Sequence, residues 1–400
     1  MTKIILLLPL FAALLLTTLV SGTTAFAAVT FFGSVNPNPP GDGDVESTLI
    51  VGLMGDDDPS LRGFVQVDGG DKIEYDALIV GDDDGYRGEL ILTDTVTPVV
   101  GPSRLTLEEA GSSTAPTVQV GHEGIGQLTV AAGAQLILED TNADVSIGVE
   151  TTGIGTLTVT GNLSMVLIPA AHNVGNAGIG RMEILDGGLV HNNDTSDLAT
   201  IGAAATGSGT VLVDGLGSIW KIDDDLTIGG LGSGTLTVQH LGLVDVDLAG
   251  ALTTIGPRGR LELSEGTFAG ATIASAGFLG GSGTVRGAVT NAAGALIDAD
   301  QDDLLQFTDG VTNQGAIRVR GGEVVFLASL NNLAEGAEAA PGRITLDSGR
   351  MRFSQTLTND GVIAALDGVN HLHGAITNGT EGVITVASDS VATFYDDVNV

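Results

Sequence analysis

The acidic runs are the first residues of this chain whose types could do chemistry. Asp56-Asp57-Asp58 and Asp82-Asp83-Asp84 each follow a glycine, in segments typical of turns. Carboxylate oxygens are the ligands that Ca²⁺ prefers. The candidate ligands of a surface calcium are therefore Asp56, Asp57, Asp82 and Asp84. Consecutive carboxylates cannot all face one ion, and neither run follows an EF-hand or Gly-Gly-x-Gly-x-Asp pattern, so a solvated acidic turn is the alternative.

A second candidate site surrounds Trp220, the only tryptophan of the chain. Lys221 follows it directly, and Asp223-Asp224-Asp225 comes next. An aromatic ring beside carboxylates can hold a sugar ring. The candidate binding residues are therefore Trp220, Asp223 and Asp225, and a tryptophan that packs over a turn is the alternative. Apart from the surface calcium, we expect no cofactor.

Other reactive side chains are scattered. His371 and His373 would point to one face of a strand, which suits a metal pair, but the spacing fixes no third ligand nearby. Arg318 and Arg320 are the nearest arrangement to an anion contact. No Gly-x-Ser-x-Gly nucleophile motif occurs, and the Gly-Ser-Gly-Thr run at 281–284 lacks the lysine of a phosphate loop. We assign no catalytic residue, and a protein without catalysis is favoured.

The elements that must position these residues repeat along the chain. Six glycines recur at a 27-residue spacing, and a further step of the same length reaches Gly283; the six are Gly121, Gly148, Gly175, Gly202, Gly229 and Gly256. The residue before each of the six is Val or Ile, which are β-branched types that favour strands. Such self-similarity predicts a repeat architecture.

Alternating strands follow the glycine-rich turns. Apolar residues lie two apart, as in Leu128-Thr129-Val130 and Leu236-Thr237-Val238, which is the period of a β-strand. The turns differ in length by two residues, which keeps the same side chains facing inward. Three short strands in each 27-residue repeat predict an all-β fold, a right-handed parallel β-helix (β-solenoid). A β-sandwich or a propeller is the alternative.

The chain divides into four predicted segments. Residues 1–27 have the features of a signal peptide: Lys3, an apolar run and a small-x-small cleavage site at Ala25-Phe26-Ala27. Residues 28–75 are expected to form an irregular N-terminal cap, and residues 76–288 the 27-residue coils. Residues 289–400 are expected to form shorter coils of about 19–22 residues.

The shorter coils share an aliphatic-Thr-Asn pattern. The four asparagines concerned are Asn291, Asn313, Asn359 and Asn378. An asparagine at equivalent corners can hydrogen-bond to its own backbone and to the asparagine of the next coil. The sequence therefore predicts an asparagine ladder.

Composition restricts the partners. A formal charge of −34 disfavours nucleic acid and anionic lipid as partners.

Composition also indicates how the chain is stabilised. Cysteine is absent, so stability must come from burial without disulfides. A hydrophobic fraction of 43% argues against disorder, and no later segment is long and apolar enough to cross a bilayer. We expect an exported, monomeric rod.

The unit Ile228-Gly229 through Thr235-Leu236-Thr237-Val238 resembles the passenger repeats of bacterial autotransporters. The Leu-Thr-Asn-x-Gly-x-Ile coils are similar to those of filamentous haemagglutinin-like adhesins. The resemblance covers about residues 76–400 and includes no translocator barrel. It implies a secreted or surface-displayed bacterial protein that binds cell-surface or matrix glycans or proteins. The alternatives are a β-helical polysaccharide lyase or glycosidase, and the passenger part of an autotransporter-type secretion system.

Overall fold

The structure is a computed structural model that describes residues 28–32, 35–36, 48–52, 62–68, 72–94, 102–107, 117–193, 198–246, 248–334 and 341–400. The expected signal peptide, together with Asp56 and Asp57, lies outside these ranges. All regular elements within the ranges are β-strands. Across the same residues, no helix is long and apolar enough to span a membrane.

Twenty-four short strands make up the part of the chain before Gly259 that the structure describes. They are β1 (Ala28–Phe32), β2 (Val35–Asn36), β3 (Thr48–Val51), β4 (Arg62–Asp68), β5 (Lys72–Tyr75), β6 (Ala77–Val80), β7 (Arg87–Leu92), β8 (Arg104–Leu107), β9 (Thr117–Val120), β10 (Ile125–Ala131), β11 (Gln135–Leu138), β12 (Asp144–Ile147), β13 (Ile154–Thr160), β14 (Met165–Ile168), β15 (His172–Val174), β16 (Ile179–Leu185), β17 (Leu189–Asn192), β18 (Ala199–Ile201), β19 (Ser208–Asp214), β20 (Ile219–Ile222), β21 (Leu226–Ile228), β22 (Ser233–Gln239), β23 (Leu243–Val246) and β24 (Leu252–Ile255).

The remaining described strands include three long ones, at Gly259–Ser275, Phe278–Asn291 and Val362–His373. In chain order the strands of this part are β25 (Gly259–Ser275), β26 (Phe278–Asn291), β27 (Leu296–Ala299), β28 (Leu304–Phe307), β29 (Val311–Asn313), β30 (Ala316–Arg320), β31 (Glu323–Phe326), β32 (Leu330–Asn332), β33 (Arg343–Asp347), β34 (Arg350–Phe353), β35 (Leu357–Asn359), β36 (Val362–His373), β37 (Ile376–Asn378), β38 (Val383–Val386), β39 (Ser390–Phe394) and β40 (Val398–Asn399).

Each strand from β3 to β21 pairs in parallel with the strand three places later in the chain. The paired strands form three faces of the solenoid. Face 1 consists of β9, β12, β15, β18, β21 and β24, and face 2 consists of β10, β13, β16, β19 and β22. Face 3 consists of β11, β14, β17, β20 and β23. Three strands complete one coil, and the coils stack. This pairing is that of an all-β parallel solenoid, as the sequence predicts, while the right-handed sense of the coil stays a prediction.

The 27-residue spacing sets the vertical alignment of the core. One interior column on face 1 consists of paired, fully buried residues at this spacing: Val120, Ile147, Val174, Ile201, Ile228 and Ile255. On face 2, Leu128 pairs with Leu157, and Leu157 pairs with Met182. The sequence separation of the first pair is two residues longer than the 27-residue spacing of face 1, and that of the second pair is two residues shorter. Because both differences are even, the inward face is preserved. Burial of each such side chain contributes about 1.5–3 kcal/mol.

The corner glycines are required by the close approach of neighbouring coils. Gly148 has a φ of 66°, and a Cβ there would overlap the backbone of Ile179. Gly155 has an ordinary φ, but a Cβ there would overlap the carbonyl oxygen of Val120. Glycine is therefore needed at the first position for conformation and space, and at the second for space alone.

The coils shorten before residue 289. Ile255 pairs with Ser275, and Ser275 pairs with Asn291. The sequence separation of each pair is therefore well below 27 residues. The reason is that β25 and β26 continue across the corners as single strands, and their pairing shifts register there instead of being interrupted by separate turns. Gly283 accordingly pairs with Gly266 on face 3, so it is not a seventh member of the 27-residue series.

Strands expected within the N-terminal cap already belong to the stack. Strands β3, β4 and β5 pair in parallel with β6, β7 and β8, so they form a first coil. Strands β1 and β2 depart from the pattern, because they pair antiparallel with β4 and β3. Antiparallel strands at this end cover the edge of the first coil.

The asparagine ladder is present. Asn291, Asn313, Asn332 and Asn359 each donate Nδ2–H to the Oδ1 of the next member, at 2.7, 2.7, 2.7 and 2.6 Å, and the last acceptor is Asn378. The first four are buried. Asn332 is a member that the sequence pattern missed. In two of the same coils, the rings of Phe307 and Phe326 stack with centroids 5.2 Å apart.

Candidate functional site

Trp220 lies in the interior of the solenoid. Its strand, β20, alternates so that Trp220 faces inward and Lys221 faces outward. The indole is 1% exposed, and its Nε1–H donates to Asn192 Oδ1 at 3.0 Å. The ring also meets His172 edge-on, with centroids 5.9 Å apart. The indole is therefore closed to a sugar ring, and the exposed platform expected from the sequence is not formed.

His172 is the neighbour that makes this interior region polar. The imidazole is fully buried, its Nδ1 lies 3.4 Å from Asn192 Oδ1, and its Nε2 has no hydrogen-bond partner. Burial lowers the pKa of His172 to about 4, and the hydrogen bond with Asn192 opposes this only in part. The ring is therefore neutral at neutral pH, as a buried imidazole must be without a counter-charge.

Asp223 and Asp225 lie near Trp220 in sequence but serve different contacts. Asp223 lies on the outside, where its carboxylate meets Lys221 Nζ at 2.8 Å and His191 Nε2 at 2.9 Å. Burial alone would raise the pKa of Asp223, but hydrogen bonds from Lys221 and His191, together with their charges, lower it overall. Asp225 accepts a hydrogen bond from the backbone N–H of Leu252 at 2.7 Å. Both carboxylates thus connect one coil to another.

The two candidate calcium ligands that the structure describes, Asp82 and Asp84, have different surroundings. Asp82 Oδ1 lies 3.0 Å from His122 Nδ1, one coil further along, and Asp84 is exposed. Within the described ranges, no group of three or more His, Asp or Glu side chains is arranged to hold a metal ion. A calcium site that includes Asp56 and Asp57 stays a prediction, because those residues lie outside the described part.

Arg318 and Arg320 are likewise engaged. Arg318 donates from Nε and Nη2 to the two carboxylate oxygens of Asp298, at 2.8 and 2.6 Å. Arg320 lies 2.6 Å from Asp300. Because each of the two guanidiniums has a carboxylate of its own, their positive charges are matched, and this pair is poorly placed to receive an external anion.

A different cluster stands out on face 3 of the C-terminal coils. Strands β31, β34 and β36 pair so that Glu323, Arg350 and His371 are aligned, and Arg352 is aligned with His373. Tyr395 directly follows β39, the strand that pairs with the end of β36. We call these outward-facing side chains the basic-aromatic patch; its members are Glu323, Arg350, Arg352, His371, His373 and Tyr395.

Aromatic rings form the C-terminal part of this patch. The rings of His373 and Tyr395 stack with centroids 3.9 Å apart and planes 8° from parallel. Tyr395 Oη lies 3.0 Å from His371 Nδ1, which ties the phenol to both histidines. Tyr395 nevertheless remains 52% exposed, so much of its ring is open to solvent.

Arginine dominates the charge of the patch. Glu323 is the shared partner of Arg352, at 2.7 Å, and of Arg350, at 3.4 Å. The two arginine side chains stay 50% and 44% exposed. Burial first, and then the positive charges of Arg352 and Arg350, lower the pKa of His373, although Glu323 opposes them.

The sequence carried part of the signal for this patch. The pairs Arg350-x-Arg352 and His371-x-His373 have the same internal spacing and lie one short coil apart. Tyr395 follows His373 after one further short coil. Both separations fall within the range of lengths expected of the C-terminal coils, so this alignment is one of several that the sequence allows.

Fold and site together define a parallel β-solenoid protein with a basic-aromatic patch near its C-terminal end. No protein-family model matches the chain, and no curated protein matches it. Among solved structures, the chain is similar to the crystal structure of a TibC-catalyzed, hyper-glycosylated TibA fragment, with 14% sequence identity and a TM-score of 0.42. The similarity covers 82% of this chain and 94% of that chain. Function is therefore inferred from the residues of this chain.

Proposed function

We propose that this protein is an exported, secreted or cell-surface rod that adheres through its side faces and performs no catalysis. The observation that carries the proposal is the use of its polar side chains. Asp223, Asp225 and Asp298 each bind a group on a neighbouring coil, where they stabilise the stack. A glycan lyase or glycosidase would instead need carboxylates that converge on one cleft.

The outward face of each strand supports an adhesive role. Inward positions are filled by aliphatic columns, so the residues between them present a regular row of side chains to solvent. Such extended surfaces suit large ligands that lie along them, as in other solenoid proteins. We expect the partners to be surface glycans or surface proteins, and the chain to act as a monomeric rod.

The test is adhesion measured together with cleavage. The full chain is expressed with residues 1–27, collected from the exported fraction and coupled to fluorescent beads. Retention of the beads on glycan-coated and protein-coated surfaces is then measured, and the same glycans are assayed for new reducing ends. We expect retention without cleavage, and removal of residues 1–27 should keep the chain inside the cell.

Two variants separate the adhesive from the enzymatic function. Asp223→Ala and Asp225→Ala should leave retention unchanged, because both carboxylates already have hydrogen-bond partners on neighbouring coils. Glycan cleavage by the native chain that either substitution abolishes would overturn the proposal. So would beads that adhere to none of the surfaces.

A further inference from the structure

We propose that the basic-aromatic patch binds an acidic polysaccharide. This inference rests on the proposed adhesive function and names the ligand class of one face of the rod. It is carried by the charge, the aromatic rings and the shape of the patch, which are independent features of the structure.

Charge is the first argument. The whole chain has a formal charge of −34, yet in this patch two guanidiniums face a single carboxylate, that of Glu323. A guanidinium has five N–H donors in a planar fork, so Arg350 and Arg352 keep donors directed to solvent after both have met Glu323. That geometry matches a carboxylate or a sulfate group.

His373 supports the same conclusion from inside the patch. After burial, the charges of Arg352 and Arg350 are the largest causes that lower its pKa, and they act against the nearby Glu323. The charged side chains that act on this imidazole are therefore mainly positive, in spite of the acidic character of the molecule. The carboxylate of Asp396, next to Tyr395, accepts a hydrogen bond from the backbone N–H of Gly374 at 2.8 Å.

The rings are the second argument, because an anion alone would not require them. Tyr395 is half exposed and already stacked on His373, so it is held in one orientation. A tyrosine fixed in this way offers an apolar face to a sugar ring at little cost in side-chain entropy. The phenol and the two imidazoles add hydrogen-bonding groups for sugar hydroxyls.

The third argument is the length of the patch. Its members lie on, or directly after, four neighbouring strands on face 3, from β31 through β34 and β36 to β39. Strands of one sheet lie about 4.8 Å apart, so the patch extends about 14 Å along the axis of the rod. An open strip of this length fits several sugar units of a polymer better than it fits one small anion.

Binding of labelled polygalacturonate, dextran sulfate and neutral dextran by the full chain tests the inference. The native chain should bind the two acidic polymers and not the neutral one, and binding should weaken as salt is raised. The double variant Arg350→Gln/Arg352→Gln should lose about tenfold or more in affinity for the acidic polymers. Tyr395→Ala should lose less, because the guanidiniums remain.

Glu323→Gln is the sharpest variant because it should bind more tightly. Replacing the shared carboxylate frees donors on both arginines and removes the one negative charge of the patch. We expect a gain in affinity for acidic polymers of about threefold or more. Arg181→Gln is the matched control: Arg181 is exposed and paired with Glu183 on a different face, so affinity should not change. Circular dichroism confirms that each variant is folded.

Three results would overturn the inference. They are equal binding of neutral dextran, unchanged affinity in the double arginine variant, and weaker binding by Glu323→Gln. Failure of the proposed function is a separate result. If the beads still adhere while the double arginine variant behaves like the native chain, the rod is adhesive through another face. If the native chain adheres to no surface, the proposed function itself fails.

Discussion

At the scale of single residues, the buried imidazole of His172 makes the stability of the coil stack depend on pH. Its pKa is about 4 in the folded chain, against an ordinary value of 6.5. The unfolded chain therefore takes up a proton as the pH falls below about 6.5, while the folded chain resists it until about pH 4. The stability that the neutral ring contributes is present above pH 6.5 and is lost across this window.

His172→Val should remove this pH dependence. Val145 and Ala199 are the aligned residues of the neighbouring coils, so an aliphatic side chain fits the column. Between pH 6.5 and pH 4 the native chain should lose about 3 kcal/mol more of its free energy of unfolding than the variant does. Urea denaturation followed by circular dichroism at several pH values measures the difference.

Val145→Ala is the control for this prediction. Val145 is buried, aligned with His172 in the same column and does not titrate, so its replacement should lower the free energy of unfolding by a similar amount at every pH. If His172→Val and the native chain lose the same stability over that window, the buried imidazole is not the cause.

The sequence predicted the location of some candidate site residues better than that of others. Asp223 was a candidate binding residue and lies on the outside, with His191 and Lys221 as partners that no spacing rule would select. Trp220 was the candidate platform for a sugar ring, with packing over a turn as the alternative, and it lies inside. The signal against an exposed ring was the adjacent Lys221, because neighbours on a strand face opposite sides and the lysine must take the outer one.

At the scale of elements, the asparagine ladder is the polar part of the C-terminal core. Asn313→Ala removes the bond that Asn313 accepts from Asn291 and the bond that it donates to Asn332. It also leaves Asn332 Oδ1 buried without that donor. We expect a loss of about 2–4 kcal/mol in the free energy of unfolding, measured by urea denaturation.

Asn331→Thr provides the matched comparison. Asn331 adjoins the ladder but faces outward, and the aligned residues of the neighbouring coils are Thr312 and Thr358. Its replacement should therefore change stability little. A similar loss for both substitutions would mean that the ladder is no more important than the surface of the same strand.

Periodicity predicted the elements well wherever glycine marks the corners. The 27-residue column through Ile147, Ile201 and Ile228 was foreseen because a corner at Gly148 or Gly202 has no other possible residue. The early start of the short coils was not foreseen. Strands β25 and β26 turn the corners through register shifts, and a bulge of this kind has no fixed residue type.

At the scale of the whole molecule, the charge opposes the stacking. The chain has 49 acidic and 15 basic residues, and its coils place outward side chains about 4.8 Å above one another. Raising the ionic strength from about 0.01 to about 0.15 M shortens the Debye length from about 30 to about 8 Å. We expect the Tm to rise by about 2 °C or more, measured by circular dichroism.

The opposite outcome is equally informative. A Tm that falls with added sodium chloride would mean that attractive pairs between coils, such as Arg318 with Asp298, outweigh the repulsion among the remaining carboxylates. The pairs are short and partly buried, so salt screens them less than it screens the exposed acids.

Composition and repeats were sufficient to predict a rod, but not where the rod is basic. The patch depends on which outward side chains are aligned, and that alignment follows the actual length of each coil. In the C-terminal part the coil length varies. The proximity of Arg352, His373 and Tyr395 can therefore be recognised only when the pairing register of the strands is known.

The asparagine ladder also has a direction. Each amide donates toward the C-terminal end, and Asn378 closes the series by donating to the carbonyl oxygen of Gly382 at 2.7 Å. Every rung is therefore interchangeable with the next, provided that whole turns are exchanged. Excising residues 314–332 would bring Asn313 against Asn359 with donor and acceptor still matched. The solenoid should therefore tolerate deletion of one whole coil in this region.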